Sequence, residues 1–113
     1  DDDLELVQRG MRRVVTDGSA RWYANIKDVL IAGKTGTAQN PHGFDHAWFA
    51  SFAPIDNPEL VIVVLVENGG FGASSALPIA SLMMEKYFTG KVQRNWLFQK
   101  MLEFEAKAAV VKR

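Results

Sequence analysis

Leu4, Val7, Met11, Val14 and Val15 recur at helical spacing with polar residues between them, which predicts an amphipathic helix over residues 4–16. Asp2 with Glu5 three residues on reads as a capping box, and the acidic start suits the positive end of the helix dipole. Asp17-Gly18 is the expected stop, with the glycine in a left-handed conformation. Residues 19–28 read as a connection, and Arg9, Arg12, Arg13 and Arg21 as a solvated face and its exit. An apolar run, Val29-Leu30-Ile31-Ala32, predicts a buried strand that leads into the glycine-rich Gly33-Lys34-Thr35-Gly36-Thr37-Ala38-Gln39. After the punctuation Asn40-Pro41-His42-Gly43, residues 47–52 predict a second strand. A turn cluster over 54–58 then precedes a third strand, 60–66, which is apolar on both faces and so expected to be central.

Strand, short turn, strand implies an antiparallel meander. Asn68-Gly69-Gly70-Phe71-Gly72 breaks it, and Ser74 or Ser75 can cap a helix over about 76–88, with Pro78 in its first turn and Gly90 past its end. In the tail, Leu97, Met101, Phe104, Ala108 and Val111 follow helical spacing, and Glu103 is placed to pair with Lys107. This tail is read as packing on its own protein, with a partner or dimer contact as the alternative. Glu103 and Glu105 dilute the cationic face that a membrane-surface helix needs. The expected fold class is α+β: a three-stranded antiparallel meander in the order first, second, third, with flanking helices packed on one face. Residues 1–90 form the main unit and 91–113 a helical tail.

Composition narrows the function classes. The 113 residues carry 13 basic and 13 acidic side chains and are 48% hydrophobic, so neither wholesale disorder nor polyanion binding is expected. Nucleic acid is therefore not an expected partner. There is no cysteine, which excludes disulfides, thiolate metal sites and a cysteine nucleophile. His42 and His46 stand four apart, but Pro41 and Gly43 spoil a helical metal pair and further ligands are missing, so no metal or other cofactor is expected. No run approaches the roughly 18–20 apolar residues that span a bilayer. The start Asp1-Asp2-Asp3, lacking an initiator methionine and a targeting pattern, reads as an internal segment of a longer protein.

Gly33-Lys34-Thr35 ends like a phosphate loop, but Asp28 stands where that motif needs its first glycine, and the segment runs on toward strands rather than opening a helix. The alternative chemistry is recognition of an anionic acyl substrate. On an extended strand Thr35 and Thr37 share a face, so their hydroxyls can grip one carboxylate. Lys34 adds positive potential, and Gly36 permits close approach to the backbone. A backbone N–H there can serve as half of an oxyanion hole. Asp45-His46 is read as loop-ordering, Glu67 and Asn68 as turn formers, and Trp22 and Tyr23 as core or groove lining. Trp48, Phe49 and Phe52 supply apolar bulk to both faces of the second strand.

Lys34-Thr35-Gly36 matches the third motif of penicillin-binding proteins and class A β-lactamases. Taken with Ala32-Gly33 before it and Thr37-Ala38-Gln39 after it, His46-Ala47-Trp48-Phe49, Phe52-Ala53-Pro54 and Val64-Leu65-Val66-Glu67-Asn68-Gly69-Gly70, the ordered set resembles the class B penicillin-binding proteins. It is most similar to their elongation-type group, the penicillin-binding protein 2 family. Gly10 to Val15, Gly18-Ser19-Ala20 and Ala76-Leu77-Pro78-Ile79-Ala80 resemble the helices that flank the family's strands. A class A β-lactamase or carboxypeptidase would share the triplet but not the His46 and Glu67 patterns.

The resemblance implies the C-terminal part of a serine β-lactamase and penicillin-binding-protein-like transpeptidase fold. It implies a serine acyltransferase that cross-links peptidoglycan stem peptides ending in D-Ala-D-Ala and is acylated by β-lactams. Implied too are an anchor in the cytoplasmic membrane upstream, a catalytic domain on its periplasmic side, and elongation-complex proteins as partners. By position, Lys34 and Thr37 would be catalytic, Lys34 in the proton network and Thr37 through its oxyanion-hole N–H. Lys34, Thr35, Gly36 and Thr37 would bind substrate. The family's Ser-x-x-Lys and Ser-x-Asn motifs are absent: the residues three after Ser19, Ser51, Ser74, Ser75 and Ser81 are Trp22, Pro54, Leu77, Pro78 and Met84. This chain alone is therefore expected to be inactive. A catalytically dead module that binds cell-wall peptide or protein partners is the alternative from a different function class.

Overall fold

The computed structural model describes residues 1–18, 20, 21 and 23–111, and among these the side chains as far as Glu103. Trp22, Ser19 and the Glu103–Lys107 pairing lie outside what is described. Helix α1 spans Asp2–Thr16, strands β1, β2 and β3 span Ala32–Ala38, His46–Ala53 and Leu60–Val66, and helices α2 and α3 span Ala76–Thr89 and Asn95–Val111. The strands form one antiparallel sheet in the order β1-β2-β3. Among the described residues β2 is thus the central strand and β3 an edge, against the expectation drawn from its apolar run. The hydrophobicity of β3 is spent on two faces, and only one is covered: Ile62 is buried while Val61, Val63 and Leu65 are exposed.

Register explains the faces. Thr35, Phe49 and Val64 stand in one row, and Thr37, Ala47 and Val66 in the next, all on the side where Phe49, Ala47, Ala53 and Ile62 enter the core with Leu77, Ala80 and Met84 of α2. The reverse face carries Lys34, Trp48, Phe52 and the exposed β3 valines. Gln8 and Met11 of α1 border that reverse face, in a shallow groove with Ala50, Phe52 and Val61. Val15, nearer the end of α1, belongs to the same core cluster as Phe49 of β2 and Leu77 of α2.

The local signals are partly rearranged. Asp1, not Asp2, caps α1 by accepting from the Asp3 N–H, and Glu5 pairs with Arg9 instead of closing a capping box. Of the predicted apolar stripe only Val15 is fully buried, and Leu4 and Val7 are exposed. Arg12 is not solvated as expected: half-buried, it donates from Nη1 to the Ile31 carbonyl at 2.7 Å. The Leu30 carbonyl accepts from the Ile55 N–H, so these backbone groups pair outside the ladder and β1 begins at Ala32 rather than Val29. Ser75 caps α2 by position only, since its hydroxyl donates to the Gly69 carbonyl, while Gly90 closes the helix in the expected left-handed conformation.

Gly18 is needed for space rather than for handedness. It has no positive φ, and a Cβ there would lie 2.9 Å from Val14 Cα and 3.1 Å from Val14 O. Backbone cannot yield as a side-chain tip does, so Gly18→Ala is expected to lower stability by about 1–3 kcal/mol. A denaturant midpoint compared with Gly10→Ala, where a Cβ meets nothing within 4 Å, measures it.

Helix α3 is fastened by a buried polar cluster. Glu85 and Arg94 form an ion pair at 2.9 Å with side chains 5% and 14% exposed. Arg94 also donates to the Tyr23 carbonyl at 2.6 Å and to Ser81 Oγ at 2.7 Å, and Glu85 Oε1 accepts from the Gln93 and Arg94 N–H groups. Leu97 of α3 is fully buried. Outside this cluster Trp96 lies against the Tyr23 ring, and Lys100 sits 5.2 Å above it, its ammonium pKa raised by the Tyr23 hydrogen bond and charge interaction.

Candidate functional site

The segment Lys34–Thr37 lies within β1, an edge strand that pairs with β2 on one side only among the described residues. Alternation puts Thr35 and Thr37 on the face shared with Phe49 and Lys34 on the reverse one. Lys34 is exposed and folds along the strand, donating from Nζ to the Thr35 carbonyl at 2.7 Å. Thr37 is exposed and Thr35 half-buried. The strand therefore offers a cation on one side and two hydroxyls on the other, a set able to hold a carboxylate placed along its edge. Gly33 and Gly36 differ in what they permit. A Cβ at Gly33 would strike the Phe49 ring at 2.5 Å, so that glycine serves packing, whereas a Cβ at Gly36 would meet only Trp48 Cβ at 3.4 Å.

The opposite side of Gly36 is already in use. Gly72, buried in the loop between β3 and α2, stands so close that a Cβ on it would lie 2.7 Å from Gly36 O, 3.0 Å from Gly36 N and 2.4 Å from Trp48 O. In the sequence, Asn68 to Gly72 reads as the break after the third strand, and nothing there announces this contact. No local signal separates a glycine needed for a turn from one needed by a strand 36 positions away.

Beside the end of β1 two loops and the first residue of β2 are joined by hydrogen bonds. Asn68, at φ 56°, donates its N–H to His46 Nδ1 at 3.0 Å and accepts on Oδ1 from Asn40 Nδ2 at 2.8 Å. Asp45 Oδ1 accepts from the Asn40 N–H, and the Gly70 N–H donates to the Asp45 carbonyl at 2.8 Å. Asp45, His46 and Asn68 thus order loops, as their sequence context predicts. His46 Nδ1 is occupied as an acceptor and His42 lies in an exposed turn. No cluster of three or more possible metal ligands exists among the described residues. Nor, among them, is any helix long and apolar enough to cross a membrane.

The geometry agrees with what the chain is similar to. The penicillin binding protein transpeptidase domain, as a family profile, matches residues 1–85. The peptidoglycan D,D-transpeptidase MrdA of Haemophilus influenzae is 38% identical over 105 residues, a match covering 78% of this chain and 16% of that protein. Among solved structures, Pseudomonas aeruginosa PBP2 in complex with WCK 5153 superposes with a TM-score of 0.65 at 38% identity, covering 81% of this chain and 21% of that one. An imipenem acyl-enzyme complex of penicillin-binding protein A from M. tuberculosis gives 0.58 at 35% identity, covering 74% of this chain and 18% of that one. The chain thus spans only about a sixth to a fifth of the length of these proteins. With three quarters of its residues under one family profile and its α+β meander shared with these structures, the chain belongs to the penicillin-binding protein transpeptidase family, as a PBP2-like fragment of that domain.

Proposed function

We propose that the chain is the carboxylate-binding, C-terminal part of a peptidoglycan D,D-transpeptidase, with residues 1–90 in the transpeptidase domain and 91–113 a helical tail. In this reading a serine outside the 113 residues attacks the carbonyl of the penultimate D-Ala of a stem peptide. The C–N bond to the terminal D-Ala breaks, and the serine proton leaves with that amine. An amine of a neighbouring stem then attacks the ester and restores the serine. Lys34 contributes to the proton network and faces the substrate carboxylate, which the Thr35 and Thr37 hydroxyls bind. The Thr37 N–H stabilises the oxyanion, and Gly36 leaves the strand edge accessible. β-Lactams acylate the same serine, as the imipenem acyl-enzyme of the M. tuberculosis relative illustrates. A membrane anchor outside these residues, a periplasmic catalytic domain and elongation-complex partners complete the reading.

The observation that carries it is the Lys34–Thr37 set on an open sheet edge, in a chain whose family match spans residues 1–85. A second reading, a catalytically dead binding module, draws on one fact: neither Ser-x-x-Lys nor Ser-x-Asn occurs in the 113 residues. The coding DNA upstream of Asp1 separates the two. An open frame carrying both motifs behind a membrane-spanning segment supports the transpeptidase; a frame opening just before Asp1 with neither supports the module. The 113-residue chain incubated with a fluorescent penicillin is expected to form no covalent adduct. An adduct on intact-mass measurement would place the nucleophile within these residues and overturn the proposed division of labour.

A further inference from the structure

We infer that His46 and Asn68 are positioning residues for the Lys34–Thr37 strand, acting through the loop that ends in Gly72. The inference rests on the proposed function for the meaning of that strand, but its structural content stands on geometry alone. Gly72 presses its backbone against Gly36, the residue between the two threonines, with no room for even a methyl group between them. A backbone contact of this kind leaves Gly36 little freedom to recede, and Thr35 and Thr37 are bonded directly to it.

The contact holds only while the loop is held. Its two ends are fixed differently. At the α2 end, the Ser75 hydroxyl donates to the Gly69 carbonyl, and the Leu77 N–H donates to the Gly72 carbonyl at 2.9 Å. At the β3 end, Asn68 adopts a left-handed backbone, and its N–H ends on the imidazole of His46, on the first residue of β2. His46 is also the register partner of Ala38, one position beyond Thr37. The imidazole therefore ties the backstop loop to the rung of the sheet next to Thr37. Asn40 adds a second tie from the loop that follows β1.

The test exploits an isosteric pair. Asparagine places Oδ1 where histidine places Nδ1, both one bond from Cγ, so His46→Asn keeps an acceptor for the Asn68 N–H, whereas His46→Leu keeps bulk without an acceptor. In the 113-residue chain, amide hydrogen exchange and chemical shifts are read at Asn68, Gly72, Gly36 and Thr37. His46→Leu is expected to speed exchange at Asn68 at least tenfold and to shift the Gly36 and Thr37 amides, and His46→Asn to restore both. If His46→Leu leaves Gly36 and Thr37 unmoved, or if His46→Asn perturbs them as much as His46→Leu, the positioning role falls. A merely space-filling imidazole predicts the first of these results, because leucine keeps the bulk.

The kinetic arm uses the longer protein that carries the nucleophile. There His46→Leu is expected to slow acylation by fluorescent penicillin about 10- to 100-fold, the usual cost of a misplacement near 1 Å, with His46→Asn close to wild type. A wild type that is not acylated at all overturns the proposed function and leaves the exchange result to decide the inference. A wild type and His46→Leu acylated at equal rates overturns the inference and leaves the function.

Discussion

Arg94→Ala is expected to cost about 3–5 kcal/mol of folding stability, because it removes one partner of a buried pair and strands the other. Glu85, 4% exposed in the intact protein, would be left with Oε2 facing the vacated space. The Tyr23 carbonyl and Ser81 would lose the guanidinium that now reaches both. Single domains are stable by only about 5–15 kcal/mol, so such a loss is a large fraction of the whole and should lower the melting temperature by roughly 15 °C or more. The comparison that identifies the cause is Glu85→Leu combined with Arg94→Met. An apolar pair of similar volume avoids the stranded charge and is expected to be far less damaging than Arg94→Ala alone. Thermal unfolding of the wild type, the two single variants and the double variant measures the coupling. Additive losses would show that the pair acts as two separate anchors rather than one unit.

The largest expected effect on chemistry is at Lys34. In the longer protein that supplies the serine, Lys34→Ala should slow acylation by fluorescent penicillin about 100- to 1,000-fold, the range in which positioned proton-transfer groups and charge-stabilising donors act. If the hydroxyl binds the carboxylate as proposed, Thr37→Ala should raise the concentration of penicillin needed for half-maximal rate, while the backbone N–H survives the substitution. Stability separates these effects from unfolding. Lys34 is exposed and its ammonium donates to the neighbouring Thr35 carbonyl, so its replacement should leave the folding free energy within about 0.5 kcal/mol. Acylation of Lys34→Ala within twofold of wild type would remove Lys34 from the mechanism without touching the family assignment.

Much of this protein follows from local pattern. The amphipathic spacing of α1, the alternation in β2, the turn residues between strands and the Pro78 and Gly90 punctuation of α2 each act within a few residues, so hydrophobic period and backbone preference specify them directly. The Lys34–Thr37 motif is legible for the same reason: on one strand its spacing alone sets which side chains share a face. What the pattern misassigned depends on partners far along the chain. The apolar run of β3 cannot say whether a second sheet neighbour exists, and Arg12 reads as solvated because its acceptor, the Ile31 carbonyl, lies 19 residues away. Gly18 and Gly72 are glycines for want of space against Val14 and Gly36, which only the packed backbone reveals. The sequence by itself determined the element types, the strand order and which side chains of β1 share a face, since these rest on short-range sterics and burial. Tertiary structure alone decided that Arg94 and Glu85 anchor the tail through Tyr23, and that Asn40, His46 and Asn68 meet beside Thr37, because charges and hydrogen bonds in a folded chain pair by proximity in space and leave no periodic trace along it.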